Sequence, residues 1–276
     1  MSTQPSVQFN DGRAIPQLGL GVWQASNDEA TQAVRTALQS GYRHVDTAAI
    51  YNNESGVGEG IRAAGIQREE IFVTTKLRND AQGSDSVLKA FDASLKRLRL
   101  DYVDLYLIHW PAPRKGLYVD SWKALLRLKE EGRARSVGVS NFTTEHLDRI
   151  IAETGVAPAL NQIELHPRFQ QQALRKAHAE RGIATESWSP LGQGQLLKNP
   201  VIAAVAARHK RTPAQVIIRW HLDSGLIVIP KSVTPSRIRE NGDVFGFTLD
   251  AEDMAKIAAL DARDGRIGPD PMTATF

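Results

Sequence analysis

The chain has 276 residues, of which 42% are apolar and 24% charged, enough for one large core and close to the roughly 250 residues of a single α/β barrel. Its 34 basic and 31 acidic residues leave a net charge of +3, too even a balance for a nucleic-acid-binding surface. The absence of cysteine excludes disulfides, thiolate catalysis and cysteine-ligated zinc.

From the N-terminus onward, residues 1–12 lack a basic region followed by an apolar stretch, so no signal peptide is expected. Residues 7–9 and 14–15 flank Asn10-Asp11-Gly12, a favoured tight-turn sequence, and predict a β-hairpin. Eight short apolar runs follow: residues 18–21, 44–46, 71–76, 103–109, 135–140, 159–164, 183–187 and 226–230. They are β-branched or leucine-rich and mostly not alternating, as for parallel strands buried on both faces. Helical patterns fill the gaps. Ser26 to Glu29 reads as a capping box, and Ala30, Ala33, Val34, Ala37 and Leu38 recur at helical spacing before a stop at Gly41. Val87, Leu88, Phe91, Leu95 and Leu98 form a second stripe. Thr212-Pro213-Ala214-Gln215 and Thr234-Pro235 open two further helices with a cap and a first-turn proline. Such alternation fits a closed barrel or a doubly wound sheet; count and length favour the barrel, with the hairpin as a plug at its bottom. No linker or low-complexity tract divides the chain, so residues 1–276 are expected to form one domain. No run reaches the ~20 apolar residues of a membrane span, and a cytoplasmic enzyme is the default expectation.

Polar and titratable residues collect where the runs end. Asp46 and then Tyr51 follow the second, Lys76 ends the third, His109-Trp110 the fourth and Ser140-Asn141 the fifth. Gln162 and Glu164 lie in the sixth, Trp188-Ser189 follow the seventh, and Lys231-Ser232 the eighth. A parallel barrel points all these ends at one mouth, where barrel enzymes keep their sites. Taken singly, each has an ordinary reading. Lys76 could be a solvated strand-end lysine or a Schiff-base lysine, His109 a histidine packed beside Trp110, Asp46 a helix cap and Tyr51 a rim tyrosine. Neither Gly19-x-Gly21 nor Gly192-x-Gly194 completes a Rossmann fingerprint.

Together the motifs Asp46-Thr-Ala-Ala-Ile-Tyr51-x-x-Glu54, Lys76, Leu107-Ile-His109-Trp110 and Gly138-Val-Ser-Asn141 resemble the aldo-keto reductase superfamily. Asn161-Gln162-x-Glu164, Ser187-Trp-Ser-Pro-Leu191 and Ile229-Pro-Lys-Ser-Val233 extend the likeness over nearly the whole chain, nearest to the bacterial 2,5-diketo-D-gluconate (methylglyoxal) reductases. The resemblance implies a (β/α)8 barrel that reduces a small carbonyl with NADPH. It implies Tyr51 as general acid, Lys76 to lower the phenol pKa, Asp46 to hold Lys76, and His109 to orient the carbonyl. Trp188, where many members have tyrosine, would stack on the nicotinamide, and Ser140, Asn141 and Gln162 would bind its carboxamide. Ser189, Leu191, Gln193 and Gly194 would wrap the pyrophosphate, and Glu240 and Asn241 would hold the adenine. Lys231, Ser232, Val233 and Arg237 stand around the helix start at Thr234-Pro235, where two cations and free N–H groups suit the 2′-phosphate. Trp23, Ala49, His109 and Trp110 would line the substrate pocket. A chain ending at Phe276 implies a short C-terminal loop and an open site. Arg114, Lys115 and Lys198 are rim cations that would attract an acidic sugar or simply be solvated. A monomer without metal, nucleic-acid or membrane partners completes the expectation. A Schiff-base aldolase and a non-catalytic cofactor-binding module are the rival readings.

Overall fold

The computed structural model describes residues 4–275; residues 1–3 and Phe276 lie outside the described part of the chain. The first two strands, β1 (Ser6–Gln8) and β2 (Ala14–Pro16), form the expected hairpin, with Val7 opposite Ile15. Gly12 takes a left-handed φ of 82° in its turn, a conformation that favours glycine.

Eight parallel strands follow in chain order: β3 (Leu20–Gly21), β4 (His44–Asp46), β5 (Phe72–Leu77), β6 (Val103–Ile108), β7 (Ala134–Ser140), β8 (Leu160–Glu164), β9 (Ala184–Trp188) and β10 (Ile227–Val228). Parallel bridges Leu18–Val228 and Gly21–Lys231 join the last strand to the first. The Gly19 N–H donates to the Val228 carbonyl at 2.9 Å and the Gly21 N–H to the Pro230 carbonyl at 3.2 Å. The sheet is therefore a closed (β/α)8 barrel, not a doubly wound sheet. The runs at 18–21 and 226–230 shrink to two-residue strands at this seam. Pro230 has no N–H to continue a ladder, and the chains come so close that a Cβ on Gly21 would lie 2.9 Å from the Ile229 carbonyl oxygen.

Phe9 and Ile15 of the hairpin region pack against Phe72, Leu105, Leu107, Leu160 and Ile227, closing the N-terminal end of the barrel with apolar side chains. This leaves the opposite, C-terminal end as the open mouth.

The helical ring contains α1 (Asn27–Gln39), α2 (Glu54–Ala64), α3 (Ser84–Leu98), α4 (Tyr118–Glu130), α5 (Thr144–Thr154), α6 (Gln172–Glu180), α7 (Pro200–His209), α8 (Pro213–Asp223), α9 (Pro235–Gly242) and α10 (Ala251–Ala258). The capping boxes at Ser26–Glu29 and Thr212–Gln215 both form, and the small apolar stripe of α1 is buried. Among the described residues, no helix is long and apolar enough to cross a membrane.

Helix α2 is wedged between its neighbours through glycines. A Cβ on Gly56 would lie 2.1 Å from the Asn27 carbonyl oxygen of α1, and one on Gly58 would lie 2.1 Å from the Leu98 carbonyl oxygen of α3. Both obstacles are backbone and cannot rotate aside. Gly58→Ala is therefore expected to destabilise the barrel by about 2–3 kcal/mol, despite alanine's better helix propensity. Urea denaturation checks this; an unchanged or raised midpoint would show that the helices separate at no cost.

Candidate active site

Strand register brings the candidate residues together. Asp46 ends β4 opposite Thr74 of β5, and Lys76 lies two residues further along β5. The Lys76 ammonium donates to Asp46 Oδ1 at 2.6 Å and to the Thr47 carbonyl at 2.8 Å. Both side chains are buried, at 0% and 2% exposure, so each needs the other to remain charged. After β4 a short 3₁₀ turn, Ala49–Tyr51, ends at Asn52 with a left-handed φ of 56°. It carries Tyr51 over the mouth, with Lys76 Nζ 5.2 Å from the ring centroid. His109, at the end of β6, meets the Tyr51 ring edge to face at 5.7 Å between centroids.

Conserving this loop geometry falls to buried polar anchors. Thr47 Oγ1 donates to Asn53 Oδ1, and Asn53 Nδ2 donates to the Val22 and Ala25 carbonyls, tying the Trp23 loop to the Tyr51 loop. Glu54, buried at the start of α2, accepts from Thr75 Oγ1 at 2.6 Å and from Arg97 Nε at 2.7 Å. The end of the Asp46–Glu54 motif is thus a structural clamp between α2, β5 and α3.

Burial would pull the Lys76 pKa down, but Asp46, Tyr51 and Glu186 together outweigh it, and the ammonium is held above its ordinary value. Burial also raises Asp46, partly offset by Lys76; at this contact distance the pair is ionic. Burial and then Lys76 push His109 well below 6.5, so its imidazole is neutral at pH 7. For Tyr51 the expected lowering by the ammonium does occur, but burial is the larger effect, and Asp46 and Glu186 oppose Lys76. The phenol ends above its ordinary value. The sequence-based expectation of a net lowered phenol is corrected accordingly: burial leaves Tyr51 protonated at neutral pH.

A second set of residues is joined to the first. Ser140 Oγ donates to the Gln162 carbonyl at 2.8 Å. Asn141, left-handed at φ 61°, donates through Nδ2 to the His109 carbonyl and Ser140 Oγ, and accepts from Trp188 Nε1 at 2.8 Å. Gln162 Nε2 donates to Asp46 Oδ2 at 2.8 Å and to Glu186 Oε2 at 2.6 Å. Ser140, Asn141, Gln162 and Trp188 therefore share one hydrogen-bonded network with Asp46, Lys76 and His109.

Beyond β9 the backbone turns sharply, with left-handed φ at Ser189, Gln193 and Gly194. Gln193 and Gly194 are exposed, while Leu191 packs against the core. The turn borders a groove of about 250 Å³ whose lining includes His166, Arg168, Gln195, Lys198 and Ile267. On the seam side, Lys231 and Arg237 are exposed beside the start of α9. Ser232 is buried and accepts from the Thr234 N–H at 3.2 Å, Val233 packs on the core, and Asn241 is buried. Glu240 Oε1 accepts from Thr212 Oγ1 at 2.9 Å, so this carboxylate also ties α9 to the cap of α8.

Around the pocket, Ala49 and Trp110 are buried, whereas Trp23 is 42% exposed. Of the rim cations, Lys115 donates to the Asn79 carbonyl and Lys198 borders the groove. Two features escaped sequence reasoning. Glu164 accepts from the backbone N–H groups of Ile267 and Gly268 at 2.6 and 2.8 Å, with His166 at 3.2 Å. It anchors the C-terminal segment so that Gly268 lies against Trp188, where a Cβ would come within 2.5 Å of the indole. Nothing periodic in residues 259–275 signals this. The other is Glu186, a carboxyl fully buried behind Gln162.

The sequence matches the Aldo/keto reductase family over residues 17–262. The chain belongs to that family. It is 57% identical over 272 residues to an aldo-keto reductase of Mycolicibacterium smegmatis, covering 99% of this chain and 98% of that one. It is 53% identical over 273 residues to methylglyoxal reductase DkgA of Escherichia coli, covering 98% of each. Among solved structures, an aldo/keto reductase from Brucella melitensis is 59% identical with a TM-score of 0.92, covering 95% of this chain and 99% of that one. A mutant of Gox0644 in complex with NADPH is 56% identical with a TM-score of 0.96, covering 99% of each chain.

In this aldo-keto reductase, the Lys76–Asp46 pair also answers the Schiff-base reading. An ammonium locked to a carboxylate and a carbonyl has no free amine lone pair to attack a carbonyl. Lys76→Met, which strands a buried carboxylate, is expected to cost about 3–5 kcal/mol of stability, and adding Asp46→Asn is expected to recover more than half. A double-mutant cycle by urea denaturation measures this; simple additivity would show that the pair is not coupled.

Proposed function

We propose that this aldo-keto reductase reduces small aldehydes and ketones with NADPH, Tyr51 delivering the proton to the carbonyl oxygen. One observation carries the proposal: a protonated phenol stands over a buried ammonium, edge-on to a neutral imidazole, at the open end of the barrel. One barrel domain over residues 1–276 underlies it.

The residues present suit the dinucleotide. Trp188 is part-exposed while its Nε1 is held by Asn141, which fixes the indole plane as a stacking platform. Ser140, Asn141 and Gln162 surround that platform as partners for a carboxamide. Ser189, Leu191, Gln193 and Gly194, on and beside the sharp turn after β9, would hold the pyrophosphate, and Glu240 and Asn241 the adenine. Lys231 and Arg237, with Ser232 and Val233 between β10 and α9, present two cations beside a helix N-terminus, a setting for the 2′-phosphate. When bound, NADPH supplies the hydride for the carbonyl carbon.

The protein's own part is to polarise, orient and protonate. His109 is neutral, so it can donate an N–H to the carbonyl oxygen but has no spare proton to release at pH 7. Tyr51 carries a proton across that range, and as the substrate oxygen gains negative charge the phenol gives it up. The Lys76 ammonium stabilises the phenolate that results, which lowers the barrier although the resting phenol is a weak acid. Asp46 keeps Lys76 charged and aimed. Trp23, Ala49 and Trp110 offer apolar walls suited to compact substrates. The names of relatives such as methylglyoxal reductase DkgA support a methylglyoxal-type carbonyl, and the motif resemblance adds a 2,5-diketo-D-gluconate-type carbonyl.

Tyr51→Phe is expected to lower kcat by ~10²–10⁴-fold, while NADPH affinity stays within a few-fold of the parent. Near-parental turnover on several carbonyls, followed by NADPH absorbance, would refute the assigned acid. Neutralising Lys231 and Arg237 together is expected to weaken NADPH ~100-fold and NADH only slightly, since each charge-assisted contact is worth roughly a factor of ten. Equal losses for the two cofactors, by titration calorimetry, would place the 2′-phosphate elsewhere.

A further inference from the structure

Behind the Tyr51–Lys76–Asp46 set lies a carboxyl for which the proposed chemistry has no use. Glu186 of β9 is fully buried, and strand register sets it directly opposite Gln162 of β8. Its Oε2 accepts from Gln162 Nε2 at 2.6 Å, while the same nitrogen donates to Asp46 Oδ2 at 2.8 Å. An amide nitrogen carries two hydrogens, so both are committed to carboxyl oxygens. The amide oxygen is then the atom of Gln162 left to meet a ligand. The other oxygen of Glu186 has no hydrogen-bond partner among the described residues and lies 3.6 Å from His44 Nε2.

We propose that Glu186 is a positioning residue: with Asp46 it fixes the Gln162 amide so that its oxygen faces the nicotinamide carboxamide, joining that contact to the Lys76–Asp46 pair. The inference rests on the cofactor reading of Gln162 given above. Without Glu186, one Gln162 N–H loses its buried partner and the amide is held by Asp46 alone, so the direction of its oxygen is less tightly fixed.

The charges around Glu186 add a second consequence. Asp46 and His44 face it from β4 and Lys76 from β5, with Tyr51 above; Gln162 of β8 and Ile227 of β10 bring no charge. His44 is neutral, pushed down to about 3 chiefly by burial. Burial first, then Asp46, raise Glu186 to about 8. Below that pH the carboxyl is mainly protonated and one ammonium balances one carboxylate. Above it a second buried negative charge appears, which holds the Tyr51 proton more tightly and makes the phenol a poorer acid. Turnover should therefore fall as pH rises through about 8.

Two measurements on the full chain test this. Calorimetry compares NADP with its 3-acetylpyridine analogue, in which a methyl replaces the amide NH2. Wild type is expected to prefer the carboxamide about tenfold or more, because an oxygen acceptor at Gln162 needs that N–H. In Glu186→Ala the preference should shrink to about threefold or less. Glu186→Gln, which still accepts the Gln162 hydrogen bond, should restore it. The same Glu186→Gln variant has no proton to lose, so its alkaline fall in kcat should move up by about one pH unit or more. Undiminished cofactor preference in Glu186→Ala, or an unmoved alkaline limb in Glu186→Gln, overturns the proposal. A wild type that binds NADP yet reduces no carbonyl defeats the reductase reading, while the calorimetric comparison still decides the role of Glu186. A wild type that binds neither dinucleotide defeats both.

Discussion

A lysine ammonium and an aspartate carboxylate, both cut off from water, hold each other charged at the mouth of the barrel. Because neither can be removed alone without leaving an unpaired charge in the interior, the geometry around them is tightly determined. The Thr47 carbonyl accepts a second hydrogen bond from Lys76, Gln162 donates to the other Asp46 oxygen, and Tyr51 stands over the ammonium. Each element that supplies one of these groups comes from a different stretch of chain, so the pair fastens β4, β5 and β8 across the barrel's upper interior.

Electrostatics then divides the labour between two groups that could each move a proton. The same burial and the same ammonium act on His109 and Tyr51. For a base such as imidazole, burial and a nearby cation both oppose protonation, and the ring is left neutral. For an acid such as phenol, burial opposes ionisation while the cation favours it, and burial wins in the resting protein. A protonated, cation-backed phenol beside a neutral imidazole suits one proton donor and one hydrogen-bond donor. In the proposed reaction the ammonium would act at the moment when the phenolate forms.

The barrel's ends are made unlike by what fills them. At the bottom, Phe9 and Ile15 complete an apolar layer with Phe72, Leu160 and Ile227. At the top, Glu164 draws two backbone N–H groups of the C-terminal segment onto itself. Burial pushes the Glu164 pKa up, but His166 and those N–H groups outweigh it and keep the carboxylate below its ordinary value. The tail thus reaches Trp188, with Gly268 packed against the indole.

Much of this molecule was legible in its sequence. The eight runs, the hairpin turn at Gly12 and the two capping boxes are local patterns, set by chain stereochemistry and by hydrogen bonds within a few residues. The convergence of Asp46, Tyr51, Lys76 and His109 also followed from the sequence, because parallel strands must send their C-terminal ends to the same side. What the linear order could not contain is anything arising from contact between distant segments. Closure at Leu18–Val228, the glycine wedge of α2, the tail anchored on Glu164 and the buried carboxyl of Glu186 all depend on which atoms lie opposite after folding. The direction of the Tyr51 shift belongs to the same class. Proximity of a lysine is readable from a motif, whereas the opposing cost of burial is decided only when the whole barrel removes the phenol's surroundings from water.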